Sequence, residues 1–316
     1  MAAAFNACPT FGKVFVVCPS SHPSYDRLTQ LMKADPDGVL RLYTTLASAY
    51  SACTSGQDDV ILLTAGSTSH ALTTGLDWTK SRIHVVGLDG GNHLTDHGAK
   101  VEVTGAVDTA YILKNTGTRN SFKNVKFIQS STHSNAKTVA QFGGEGVVVQ
   151  NCSFIFGVVN NLGSTASSEV VFGEDSGTFI DCEFGADTLL TSAARPVTLI
   201  KEVTANQEFK SNRFRGCTWK VSSSSSTALL LKVNSTADVL FTNLFEDCNF
   251  YASVDSAGGA ALGNAVASAS GLVKGTLSFV RPAAFNCTKF CAGVSDKVQV
   301  VGPISDVASG IAVTPA

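Results

Sequence analysis

From residue 122 to residue 250 the chain returns again and again to one arrangement of apolar and polar positions. The copies read FKNVKF (122–127), VQNCSF (149–154), FIDCEF (179–184), FRGCTW (214–219) and FEDCNF (245–250). A sixth, FNCTKF (285–290), is shorter by one residue ahead of its cysteine. The equivalent position runs Val125, Cys152, Cys182, Cys217, Cys248, Cys287, in steps of 27, 30, 35, 31 and 39. Inside a copy, apolar and polar residues alternate, except that the step from Phe179 to Cys182 breaks the alternation. Period two predicts a strand, and the break predicts a bend followed by a second strand.

A repeat is the strongest organising signal a sequence can carry. β-branched and aromatic residues fill these segments, Gly, Ser, Thr and Asn separate them, and no intervening stretch shows a convincing 3.6 period. A period of about 27–39 residues is short for a four-stranded propeller blade and lacks the helix of a leucine-rich repeat. It fits one coil of a parallel β-solenoid, whose coils lie about 4.8 Å apart, so that equivalent residues stack in columns. The reading predicts Phe on Phe and Cys on Cys inside a tube, with Asn124, Asn151, Asp181, Gly216 and Asp247 stacked at a bend. Longer steps are read as loops leaving the coil, among them VSSSSST (221–227) and ASVDSAGGAALGNAVASASG (252–271).

Ahead of the repeat, Leu46, Ala49, Tyr50 and Cys53 share one face at helical spacing. This predicts a short amphipathic helix that caps the open end of the tube, where an exposed edge would invite aggregation. The strand segments DDVILL (58–63) and IHVVGLDGG (83–91) follow. The expected organisation is an N-terminal segment with the capping helix over 1–57, the β-helix over 58–294, and an extended tail over 295–316. That tail carries seven Val or Ile residues from Val298 on and a single charge there, Asp306, and is expected to run over a neighbouring surface.

These elements resemble right-handed parallel β-helix proteins of the pectate-lyase-like class, over about residues 40–290. The resemblance implies an all-β solenoid and leaves activity open, since many functions use one fold. Polysaccharide-cleaving members of the class carry recognisable groups. Pectin methylesterases have an Asp opening a D-F-I-F-G motif; here SFIFG (153–157) begins with Ser153. The Gly-His-Gly of polygalacturonases does not occur, and no set of calcium carboxylates with an Arg is evident.

The best enzymatic constellation comes from register. Glu145 and Asp175 each lie seven positions before a column cysteine. They therefore stack one coil apart, a separation of about 5 Å that suits a retaining glycosidase pair. Glu174 adds a third carboxylate; the competing reading is a solvated turn. GNHLTDH (91–97) brings His93, Asp96 and His97 together, a metal-binding spacing on a helix, but its flanking glycines read as a polar loop. Trp78 and Trp219 are candidate sugar-stacking rings, although Trp219 holds the repeat's Phe position and reads as core. Asn151, Asn234 and Asn286 open glycosylation sequons, two of them inside the repeat. No catalytic, cofactor or metal residue is assigned.

Composition narrows the partners. A net charge of −2 with 15% charged residues supplies no basic footprint for nucleic acid. No apolar run reaches the length of a membrane span, and the N-terminus lacks the charged start of a secretory signal. Nine cysteines without a CxxC pair read as small buried apolar residues. A weakly charged, Ala/Ser/Gly-rich β-helix is similar to virion proteins of tailed bacteriophages. The resemblance implies a capsid-associated (decoration or head) protein without catalysis, a homotrimer bound to another virion protein and located in the virion. The alternatives are a receptor-binding tailspike or fibre and a polysaccharide-acting enzyme.

Overall fold

A computed structural model describes residues 12–32, 38–88, 98–158, 164–186, 190–205, 207–234, 238–254, 258–267, 275–292 and 298–302. Its long sheets are parallel. Sheet A runs from Leu42–Tyr43 and Val14–Val17 at one end to Val298–Val301 at the other. Sheet B runs from His70–Leu72 to Ala283–Phe285, and sheet C from Leu76–Trp78 to Cys287–Ala292. The chain visits A, B and C in turn, and sheet C has eight strands among the described residues, one for each of eight coils. The path is a right-handed parallel β-helix, the hand that parallel crossovers adopt.

The repeat marks the corner between sheets A and B. Strand Val148–Gln150 ends two residues before Ser153–Phe156 begins, and the same gap recurs at 181–182, 216–217 and 247–248. The first corner residue turns the chain by adopting the left-handed conformation: φ is 57° at Asn124, 51° at Asn151, 51° at Asp181, 63° at Gly216 and 51° at Asp247. Gly, Asn and Asp tolerate this region best, which explains the identity of that position. The second corner residue dips inward, giving the buried column Val125, Cys152, Cys182, Cys217 and Cys248. The thiols point back at the strand they leave, as in Cys182 Sγ to Ile180 O at 3.3 Å.

Inside the tube the rings stack as expected. On sheet A, Phe179, Phe214, Phe245 and Phe279 follow one another in register, with centroids 4.8, 4.6 and 4.6 Å apart. On sheet B, Phe154, Phe184, Trp219 and Phe250 do the same at 5.8, 4.9 and 4.8 Å. Stacked pairs of this kind add about 0.5–1.5 kcal/mol each beyond area burial.

Helix α1 (Tyr25–Leu31) has no buried residue. Helix α2 (Leu46–Ala52) closes the tube by burying Leu46, Ala49 and Tyr50, with Cys53 beneath them. Thr45 caps its start by accepting a hydrogen bond from Ser48 N at 3.1 Å, the usual service of an N-cap hydroxyl. Lys80 caps its end, donating from Nζ to the carbonyls of Tyr50, Ser51 and Cys53 at 2.9, 2.8 and 2.7 Å. A lysine in this place satisfies carbonyls that the last turn leaves unpaired.

Four expectations differ from what the fold shows. Cys287 is not the sixth column member: Ala283 N donates to Cys248 O, which puts Arg281 (φ 49°) and Pro282 at that corner, and Cys287 lies on sheet C opposite Leu262. The cysteine match misled because the true corner, at Pro282, has no cysteine. The boundaries also shift. Val14–Val17 pairs with Asp59–Leu63, and Val298–Val301 pairs with Thr276–Val280, so the sheet extends past 58–294 at both ends. Residues 303–316 of the tail lie outside the described residues. The two loop stretches are loop only in part: Val221, Ser222 and Ser223 belong to strand Thr218–Ser223, with Ser222 and Ser223 buried, while 224–227 turn towards Leu229–Val233, and Leu262–Ala267 is a strand.

Candidate functional site

The carboxylates singled out by register lie at the corner that leads from sheet C back to sheet A. Arg119 N donates to Glu145 O at 2.8 Å, Gly146 N to Asp175 O at 2.8 Å, and Ser176 N to Lys210 O at 2.9 Å. Glu145 and Asp175 therefore occupy equivalent positions one coil apart. Arg119, Gly146, Ser176 and Ser211 form a second left-handed column beside them, with φ of 54°, 68°, 56° and 56°.

Register brings the two residues together; chemistry separates them. The Asp175 carboxylate lies 3.2 Å from Lys210 Nζ and accepts from Ser176 Oγ at 2.8 Å. Lys210 also meets Glu208 at 3.0 Å. Glu145 is exposed. A retaining glycosidase needs one carboxyl ready to donate a proton and another ready to attack across a shared substrate. Here one carboxylate is held by a lysine one coil further on, and the other faces solvent.

Glu174 is neither exposed nor paired. It is 1% exposed and both carboxyl oxygens lack a hydrogen-bond partner. Burial pushes its carboxyl well above the usual carboxylate range, because a low-dielectric surrounding disfavours the charged form. Beside it runs a ladder of buried asparagines: Asn212 Oδ1 accepts from Gly177 N at 2.7 Å, and Asn243 Oδ1 accepts from Asn212 Nδ2 at 3.1 Å.

The other candidates resolve as follows. Trp78 and Trp219 are fully buried; Trp78 stacks on Tyr50 at 4.0 Å, and Trp219 donates Nε1–H to Thr198 Oγ1 at 2.8 Å. Both are core. Ser153, at the head of SFIFG, donates to Glu183 Oε2 at 3.2 Å, while Phe154 and Phe156 fill the tube. Asn151 donates to Asn124 Oδ1 at 2.8 Å within the corner column. Asn286 is exposed, so its sequon is not inside the core as the repeat alignment implied. His93, Asp96 and His97 lie outside the described residues. Among the described residues no three His, Cys, Asp or Glu side chains are arranged to hold a metal. A narrow gap under α2 is lined by apolar residues such as Leu46, Trp78 and Phe122, with no room for water.

Sequence reasoning missed one feature. Glu169 and Arg195 form a bidentate ion pair, 2.7 Å on both arms. Each residue is 1% exposed. Two parallel charge-assisted bonds fix the geometry as well as the charge balance. The guanidinium lies 5.6 Å from the Phe156 ring centroid. The trace in the sequence is one opposite charge at the head of each of two apolar strands, in SSEVVF and ARPVTLI.

The fold defines a pectate-lyase-like parallel β-helix. Pectate lyase Pel9A is similar at a TM-score of 0.50, with 13% identity over 95% of this chain and 81% of that one. The pectin methylesterase of Aspergillus niger matches at 0.48 with 11% identity, over 95% and 93% of the two chains. ORF18 of Geobacillus virus E2 matches at 0.48 with 12% identity, over 79% of this chain and 50% of that protein. At these identities the likeness concerns the fold alone. No protein-family model matches the chain, and no characterised protein matches it in sequence.

Proposed function

We propose that this chain is a structural, non-catalytic component of a tailed-bacteriophage particle, carried on the capsid as a homotrimer. The observation that carries the non-catalytic part is the fate of the three carboxylates: Asp175 is tied to Lys210, Glu174 is inside the tube, and Glu145 faces solvent without a second acid poised beside it. The remainder is supported by the weakly charged composition and by a continuous stacked core. Dense packing of that kind suits a rigid surface element more than a flexible binding module.

Three measurements test the reading. Assays on host polysaccharides are expected to show no turnover; turnover that disappears in Glu145→Gln and Asp175→Asn replaces the proposal with a glycosidase. Light scattering is expected to give the mass of a trimer. Co-sedimentation with capsids is expected for the full chain and to weaken on truncation after Gly302, which keeps the last sheet strand and removes the rest of the apolar tail. A monomer that ignores capsids overturns the assembly part.

A further inference from the structure

Glu174 occupies a position where the tube has no use for a charge. Counting two residues past the register set Asn115, Phe142 and Phe172 on sheet C gives Gly117, Gly144 and Glu174 as equivalents. The bridge between Asp175 and Lys210 puts Phe209 next in the column. Two glycines thus precede Glu174 and a buried ring follows it. Its side chain lies over Gly177, with Oε1 only 3.1 Å from where a Cβ on that glycine would be.

Apart from the main-chain N–H of Glu174 itself, which lies near the carboxyl without meeting it in good hydrogen-bond geometry, the donors around the carboxyl are committed elsewhere. Gly173 N donates to Phe142 O at 2.9 Å, Ser176 N to Lys210 O at 2.9 Å, and Gly177 N to Asn212 Oδ1 at 2.7 Å. Asn212 Nδ2 serves the backbone carbonyl of Glu174 at 3.0 Å and Asn243 Oδ1 at 3.1 Å. Asn120 Nδ2 serves Lys80 O at 2.9 Å and Asn115 Oδ1 at 2.7 Å, and Gln207 Nε2 serves Gly143 O. The charged residues on the surrounding segments are Arg119 and Glu145 on the preceding coils, Asp175 beside it, Lys201 and Glu202 over Gly173, and Glu208 and Lys210 on the next coil. None forms a hydrogen bond with the Glu174 carboxyl, and Lys210 is shared by Asp175 and Glu208. Among the described residues an ionised carboxylate would be buried there with no paired counter-charge and only the main-chain N–H groups of Glu174 and Gly173 to ease it, neither in good hydrogen-bond geometry, a far larger penalty than a buried neutral acid.

We propose that Glu174 is a proton-held latch: the corner closes around the neutral acid, and loss of its proton opens residues 173–177 and releases the Asp175–Lys210 pair. The order of this corner then depends on pH above the usual carboxylate range, independently of what the molecule binds.

Infrared spectroscopy and amide hydrogen exchange on the intact protein test this. A protonated-carboxyl C=O band is expected to persist at pH values above the usual carboxylate range and to be missing in Glu174→Gln. Exchange at 173–177, corrected for the intrinsic pH dependence, is expected to rise about tenfold across the pH range in which that band disappears and to stay flat in Glu174→Gln. If that variant fails to fold, Glu174→Leu supplies the same comparison. Absence of the Glu174-dependent band overturns the proposal, as does an equal rise in exchange in wild type and variant.

Discussion

The corner between sheets A and B and the corner between sheets C and A solve one geometric problem with different residues. Both turn the chain through a left-handed column, at φ of 51° for Asp181 and 56° for Ser176. From Asn124 to Cys248 the A–B corner has only two residues, of which one must reverse the backbone and the other must fill the tube, so Asn/Asp/Gly followed by Val or Cys recurs. The C–A corner spans five residues between Phe142 and Val148 and between Phe172 and Thr178, then twelve between Ile200 and Arg213. With more backbone to place, each coil satisfies its polar groups in its own way: Asn120 with Asn115, Asn212 with Asn243, and Glu174 with nothing. A short turn fixes residue identity, whereas a longer one fixes only backbone shape.

If the A–B column is rigid core, its thiols should be silent. Burial pushes Cys152, Cys182 and Cys217 well above the usual thiol range. Labelling of these is expected to be at least about a thousandfold slower in the native protein than in denaturant. Half-buried Cys291, pushed up to about 11, is expected to react first among the described cysteines. Native labelling of the column at the denatured rate breaks the comparison at its root. Phe214→Ala, which empties the centre of the ring stack, is expected to cost about 3–5 kcal/mol in denaturant unfolding. A cost below about 1 kcal/mol would mean that the column is not the core.

The backbone half of the comparison can be tested alone. Asp181→Val and Ser176→Val place a β-branched residue at positive φ in one corner each, and both are expected to cost about 2 kcal/mol, with the Gly variants near neutral. A cost at one corner only would show that the two left-handed columns are not equivalent.

Glu174 separates the corners by pH. Its folded carboxyl titrates well above the usual carboxylate range, whereas the unfolded counterpart titrates at about 4.3. The folded state therefore holds the extra proton, and stability falls as pH rises from there towards the folded value. Glu174→Gln is expected to be more stable than wild type by at least about 1 kcal/mol near pH 8, and the gain to vanish below about pH 4, where both side chains are neutral. A gain independent of pH would rule out ionisation as its cause. The smallest effects belong to exposed Glu145 and to Asp175 in its partly exposed pair with Lys210: Glu145→Gln and Asp175→Asn are expected to shift stability by less than about 1 kcal/mol in thermal melts.

The sequence by itself determined the tube, the A–B corner and the capping helix. At each of these, one or two residues carry both the backbone turn and the inward side chain, so the repeat FxDCxF and the spacing of Leu46, Ala49 and Tyr50 are visible without coordinates. The same logic placed Glu145 and Asp175 one coil apart, because backbone register propagates along the tube. It could not place their partners. Lys210 reaches Asp175 from the next coil, across a corner of different length, and Arg195 meets Glu169 across an intervening corner and loop. Nor could it tell Glu174 from Asp175. Neighbours in sequence, one faces the core and the other the lysine, and only the path of the chain through the corner decides which is which. The misassigned Cys287 has the same origin: residue type suggested a column, but which residue enters it is decided by hydrogen-bonded register, which put Pro282 there.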